Sequence, residues 1–145
     1  MTPDGITTKD WRLVSERAYR IVNAVYSEKA ALAKRETKAL LRLLDQLEHK
    51  YGELPSILAT KADYVSDSSE RLRLLKKAYA LAQEREDRRN MTYIASSLVE
   101  FYVEDRGDKI RGKVWLAKFR ECLKQFDHGE SASYRRIKKL IEKGT

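Results

Sequence analysis

Apolar and polar residues alternate along this chain with a period of three to four, the repeat that places side chains on one face of an α-helix. Trp11, Val14, Ala18, Ile21, Val22 and Val25 form the first such stripe, and Thr7, Thr8 or Asp10 can cap its start. A second helix is expected over residues 27–50, with Leu40, Leu43, Leu44, Leu47 and Tyr51 on its apolar side. Gly52 then serves as a C-terminal cap, because glycine takes a positive φ cheaply. No Gly or Pro lies from Tyr26 to Glu36, so the break between these helices falls either near Ser27 or near residues 34–36.

The middle of the chain is better punctuated. Pro55 suits the first turn of a helix reaching about Val65, where its missing N–H costs nothing. Asp67-Ser68-Ser69-Glu70 reads as a capping box for a helix that carries Leu72, Leu75, Ala78, Tyr79 and Ala82 to about Arg85. Residues 88–104 form another, with Ile94, Leu98, Phe101 and Tyr102 inward, followed by an Asp105-Arg106-Gly107-Asp108 loop. A helix over 109–126 should bury Val114, Leu116, Phe119, Cys122 and Leu123. After the interruption at 127–130, Ser131 caps a last helix that buries Tyr134, Ile137, Leu140 and Ile141. The expectation is an all-α fold of about seven helices and no strand. They would stack as antiparallel hairpins over about 9–51, 55–86 and 88–126 in one domain, closed by a capping helix at 131–143.

Alternate helices resemble one another. Leu41-Arg42-Leu43-Leu44 matches Leu72-Arg73-Leu74-Leu75 at an offset of 31, and Leu58-Ala59 with Ala62 matches Ile94-Ala95 with Leu98 at an offset of 36. A two-helix period in this range resembles the tetratricopeptide repeat, whose unit is a 34-residue helix–turn–helix. In the unit from Gly52 to Arg85, Leu58 and Ala59 stand at the family's Leu-Gly pair, and Leu75 and Ala78 at its second-helix positions. Pro55 replaces the usual Trp, Ala62 an aromatic, and Arg71 a small residue at the close helix contact. The next unit keeps Ile94, Ala95 and Leu98, then needs about five extra residues before Gly112, Leu116 and Phe119. The first hairpin fits through Leu40, Leu44 and Leu47. The resemblance implies a right-handed array whose first helices line a concave, partner-binding face. On this chain that face would be Ser56, Thr60, Asp63 and Tyr64, then Thr92, Ser96, Val99 and Glu100, with Tyr64 as an aromatic anchor.

The composition narrows the function classes. Among 145 residues, 30 Lys and Arg outweigh 22 Asp and Glu, a net charge of +8. No apolar run approaches the ~20 residues needed to cross a bilayer. The N-terminus is polar, with no apolar signal region, and the single cysteine, Cys122, has no disulfide partner. A cytoplasmic protein without a membrane partner is therefore expected.

Enzyme constellations are missing: no HExxH, no Gly-rich phosphate loop, no G-x-S-x-G elbow and no paired-cysteine metal spacing. Asp45 and His49, four apart, could offer two metal ligands, but such a pair is ordinarily a surface contact with the His near a helix C-terminus. Cys122 and His128 could be a nucleophile and base, but Cys122 lies on an apolar stripe. The expectation is a non-enzyme with no cofactor and no metal.

The basic excess is concentrated. From 109 to 124, six cations face only Glu121, and from 134 to 143, five face only Glu142. Lys109, Arg111, Lys113, Arg135, Arg136, Lys138 and Lys139 are candidates for a basic surface that meets an acidic protein. The expected function is a protein-binding module that sequesters or neutralises a partner, as toxin-immunity proteins do. The alternative is a nucleic-acid-binding accessory protein that uses the same basic helices, since phosphate contacts are driven by counterion release.

Overall fold

The computed structural model describes residues 1–124 and 132–143, and among them there are seven α-helices and no strand. They are α1 (Thr8–Tyr26), α2 (Ala30–Tyr51), α3 (Pro55–Tyr64), α4 (Ser68–Glu84), α5 (Arg88–Glu100), α6 (Lys109–Leu123) and α7 (Ala132–Glu142). The expected helix end at Phe126, the loop with His128 and the cap at Ser131 lie outside the described residues.

Local chemistry sets the helix ends. Thr7 accepts a hydrogen bond from the Asp10 N–H to start α1, and Asp67, Asp87 and Asp108 cap α4, α5 and α6 in the same way. Pro55 is the first residue of α3, and Gly52, with φ of 87°, ends α2. The break between α1 and α2 falls at 27–29. There the Lys29 N–H donates to the Ala24 carbonyl and the Glu28 N–H to that of Val25, a Schellman closure. Its positive-φ position is occupied by Glu28 (φ 56°), which is why no glycine marks the turn. The turn from α4 to α5 repeats the device with Glu86 (φ 55°).

Three pairs, α1 with α2, α3 with α4 and α5 with α6, pack as consecutive neighbours. α2 also packs on α3, α4 on α5 and α6 on α7, while α3 touches α5 and α5 touches α7. Two hydrophobic clusters result. One joins Ile6, Val14, Ile21, Leu40, Leu44, Leu47, Leu54 and Ile57; the other runs from Leu58 through α4, α5 and α6 to Ile141. α3 sits between them and is buried from Leu54 to Ala59 on nearly its whole circumference.

Three expectations are corrected. Val22 and Val25 are 47% and 62% exposed, because α1 buries only a narrow seam of Val14, Ile21 and Ala24 against α2. Val114 is exposed too, since the seam of α6 runs through Gly112, Phe119, Cys122 and Leu123 with Trp115 and Leu116 half-buried. The helix expected over 88–104 does not stay regular. Its last turn, Phe101–Asp105, widens to a π-helix closed by the Arg106 N–H on the Phe101 carbonyl. Phe101 and Tyr102 are both buried in it, and Asp105 pairs with Arg71 at 2.9 Å.

The N-terminal residues fold back over α3. Ile6 is fully buried, and the Asp4 carboxylate accepts from the Ser56 N–H at 2.7 Å and the Ser56 hydroxyl at 2.8 Å. Asn90 donates to the Ser56 Oγ and to Asp87, tying the start of α5 to the start of α3.

Candidate functional site

α5 presents Arg89, Tyr93, Ser96 and Glu100 at spacings of four, three and four, which is one face of a helix. Beside this face α3 contributes Asp63, α6 contributes Phe119 and Leu123, and α7 contributes Arg136. Together with Thr92 and Ser97 they enclose an open groove of about 660 Å³. An apolar floor under a few convergent polar groups is the ordinary make-up of a binding site. A cleft of about 720 Å³ under the N-terminal segment offers no such floor. Its walls are Pro3, Gly5 and a balanced set of charges: Asp4, Arg85, Glu86, Asp87, Arg88 and Arg89.

The groove's polar groups are tied into the protein. The Tyr93 hydroxyl donates to Asp63 at 2.6 Å. Thr92 donates to the Arg88 carbonyl, and Ser96 and Ser97 both donate to that of Tyr93. Arg136 donates to Glu100 at 2.8 Å. The groove walls displace water from the Asp63 carboxylate and push its pKa up; Glu100 adds to this, while Tyr93 and Arg71 oppose it. Burial likewise pushes the Tyr93 hydroxyl above its ordinary value, and the Asp63 charge adds to it.

Of the eight residues expected on a concave face, Asp63, Thr92, Ser96 and Glu100 line this groove. Thr60 is half-buried, its hydroxyl donating back to the Ser56 carbonyl. Ser56 and Val99 are buried and cannot meet a partner, Ser56 because it bonds Asp4 and Val99 because it packs in the core. Tyr64 packs half-buried against the first cluster, and the exposed aromatic on this face is Tyr93. Tyr93 was legible as a member of the 89, 93, 96, 100 spacing, but the face lies about one residue around the helix from the expected one.

The candidate cations have different surroundings. Arg136 faces the groove, whereas Arg111 pairs with Asp108 beside a separate cleft with Leu72, Lys76, Tyr102 and Arg106. Lys109 reaches the Lys143 carbonyl, and Lys138 lies 3.9 Å from Glu142. Lys113, Arg135 and Lys139 are exposed, with no ion pair among the described residues.

The other candidate chemistries are placed as follows. Asp45 pairs with Lys61 at 2.6 Å. Cys122 is buried, and burial pushes its thiol above the usual value against the opposing charge of Arg88. Among the described residues, no group of three or more His, Cys, Asp or Glu side chains is placed to hold a metal. No helix among them is long and apolar enough to cross a membrane.

The described residues define a class, an all-α stack of neighbouring helices, with a mixed apolar and polar groove on α5. Compared with protein-family models, curated proteins and solved structures, the chain has no match.

Proposed function

We propose that this chain is a non-enzymatic protein-binding module that holds a segment of a partner protein in the α3–α5–α6–α7 groove and so sequesters or neutralises it, as a toxin-immunity protein does. The carrying observation is the groove itself: Phe119 and Leu123 beneath the exposed Tyr93, with charged groups at the rim. Interfaces draw most of their affinity from such aromatic anchors over apolar floors. The order of helix contacts, each hairpin on the next and α3 on α5 on α7, supports a tetratricopeptide-like array with α7 as its cap. The chain has no chemistry of its own on this reading, and it works in the cytoplasm.

Affinity purification from native extract tests the proposal. Ser96→Arg, which fills the groove, should lose a partner that wild type and the Arg135→Glu/Lys139→Glu variant both retain. The opposite pattern would move the interface to the basic surface. A second reading, a nucleic-acid accessory protein, draws on Lys113, Arg135 and Lys139, which are exposed and have no ion pair among the described residues. It requires RNA or DNA binding with a steep salt dependence that Arg135→Glu/Lys139→Glu abolishes.

A further inference from the structure

We infer that the groove takes a cationic side chain, Lys or Arg, from an extended segment of the partner protein, its aliphatic stem over Leu123 and Phe119 and its head among Asp63, Glu100 and the hydroxyls of α5. This rests on the groove being the partner site.

The inventory of donors and acceptors carries the inference. Thr92, Ser96 and Ser97 each spend their one hydroxyl proton on a backbone carbonyl, and Tyr93 spends its own on Asp63. What these oxygens still offer outward is lone pairs, so α5 from Thr92 to Ser97 is a line of acceptors near Asp63 and Glu100, with the groove's two cations placed one turn before Tyr93 (Arg89) and on Glu100 (Arg136). A ligand that meets them must bring donors. An ammonium or guanidinium supplies three or five and no acceptor, and its methylene stem suits an apolar floor.

The protein already shows the match. Arg136 reaches across from α7 and rests its guanidinium on Glu100, while its own side chain stays 61% exposed. It is tethered by one charge-assisted contact in solvent, worth little, so an incoming cation can displace it. The middle of the chain supports the same sign. From Gly52 to Asp108, eleven acids face nine cations, a net of −2 in a protein of +8. An acidic segment would find Arg89 and Arg136 at the groove, but it would meet Asp63 and Glu100 with like charge, at a cost in affinity.

A displayed library of random nine-residue peptides, selected against the full-length protein, tests this. The enriched peptides are then synthesised and titrated by fluorescence anisotropy. Lys- or Arg-centred peptides should emerge, and Asp63→Asn with Glu100→Gln should weaken them about tenfold or more. Both replacements are near-isosteric, and an unchanged melting curve shows the fold intact. Arg136→Ala should tighten binding several-fold by vacating Glu100. Acidic peptides that bind the groove and weaken with Arg136→Ala would overturn the cation assignment and leave the groove as the partner site. Peptides indifferent to Ser96→Arg, or none enriched, would overturn the groove reading as well.

Discussion

Gly112 offers a sharp test of how tightly the α5–α6 hairpin is closed. It lies inside α6 and is buried, and a Cβ added there would stand 2.6 Å from the Val103 Cγ2 in the π-helical turn and 3.9 Å from the Ile141 Cδ1. Two effects of Gly112→Ala oppose each other. The helix gains about 1 kcal/mol from the better helix former. Real carbon contacts do not reach 2.6 Å, so Val103 must turn about χ1, its one side-chain torsion, or the helices must separate, at about 1–3 kcal/mol of overpacking. The net expectation is a loss of about 0–2 kcal/mol, a fall of up to roughly 6 °C in melting temperature for a chain of this length. Urea unfolding followed by far-ultraviolet circular dichroism measures it, and a double-mutant cycle isolates the cause. In a Val103→Ala background the obstruction is gone, so Gly112→Ala should stabilise by about 1 kcal/mol. If Gly112→Ala alone stabilises by about 1 kcal/mol, or if the two changes add within about 0.5 kcal/mol, the close approach does not constrain this hairpin.

Other expectations follow from the turns, the N-terminal segment and one carboxylate. Glu86→Gly relieves a positive φ in a side-chain-bearing residue, so the urea midpoint should rise by the equivalent of about 0.5–1 kcal/mol; a fall would contradict the Schellman assignment. Ile6→Ala should cost about 2–4 kcal/mol because Ile6 is fully buried, and a loss under about 1 kcal/mol would mean the N-terminal segment is not docked. Asp10 is held below its ordinary 3.8 by the hydrogen bond from Lys50, then by that from Tyr51. The unfolded chain therefore binds this proton at higher pH than the folded one. The contribution to stability is present above about 3.8 and is lost as pH falls through the folded value. A carbon-13 titration should show the Asp10 midpoint move up in Lys50→Met, and an unmoved midpoint would refute the pairing.

Features whose cause is local were the ones legible from residues alone. Thr7, Gly52, Pro55 and Asp67 act within one turn, through a side-chain oxygen, a positive φ or a missing N–H, and each ends or begins its helix where expected. The turn at Glu28 was ambiguous for the same reason inverted: its residue carries no intrinsic preference for positive φ, so packing at the helix end imposes it. Within the groove, Asp63, Thr92, Ser96 and Glu100 were anticipated from the repeat resemblance, and Tyr93 shares the helix spacing of Ser96 and Glu100, whereas the burial of Ser56 and Val99 and the half-burial of Tyr64 depend on tertiary contacts.

The sequence by itself determined an all-α chain of about seven helices, several of their ends and most of the core, because a 3.6-residue period and capping chemistry belong to each segment alone. The tertiary structure decided which arc of each stripe is covered. Val22 and Val25 satisfy the period as well as Ile21 does, yet only a neighbouring helix can bury them, and α1 packs chiefly on α2. It also decided which charged groups share one groove. A net charge of +8 pointed to an acidic partner, but folding gathers two acids, Asp63 and Glu100, and two cations, Arg89 and Arg136, around one groove, while Arg111 lies at a separate cleft. Total charge is a sum over the chain, and recognition depends on the few groups that share one groove.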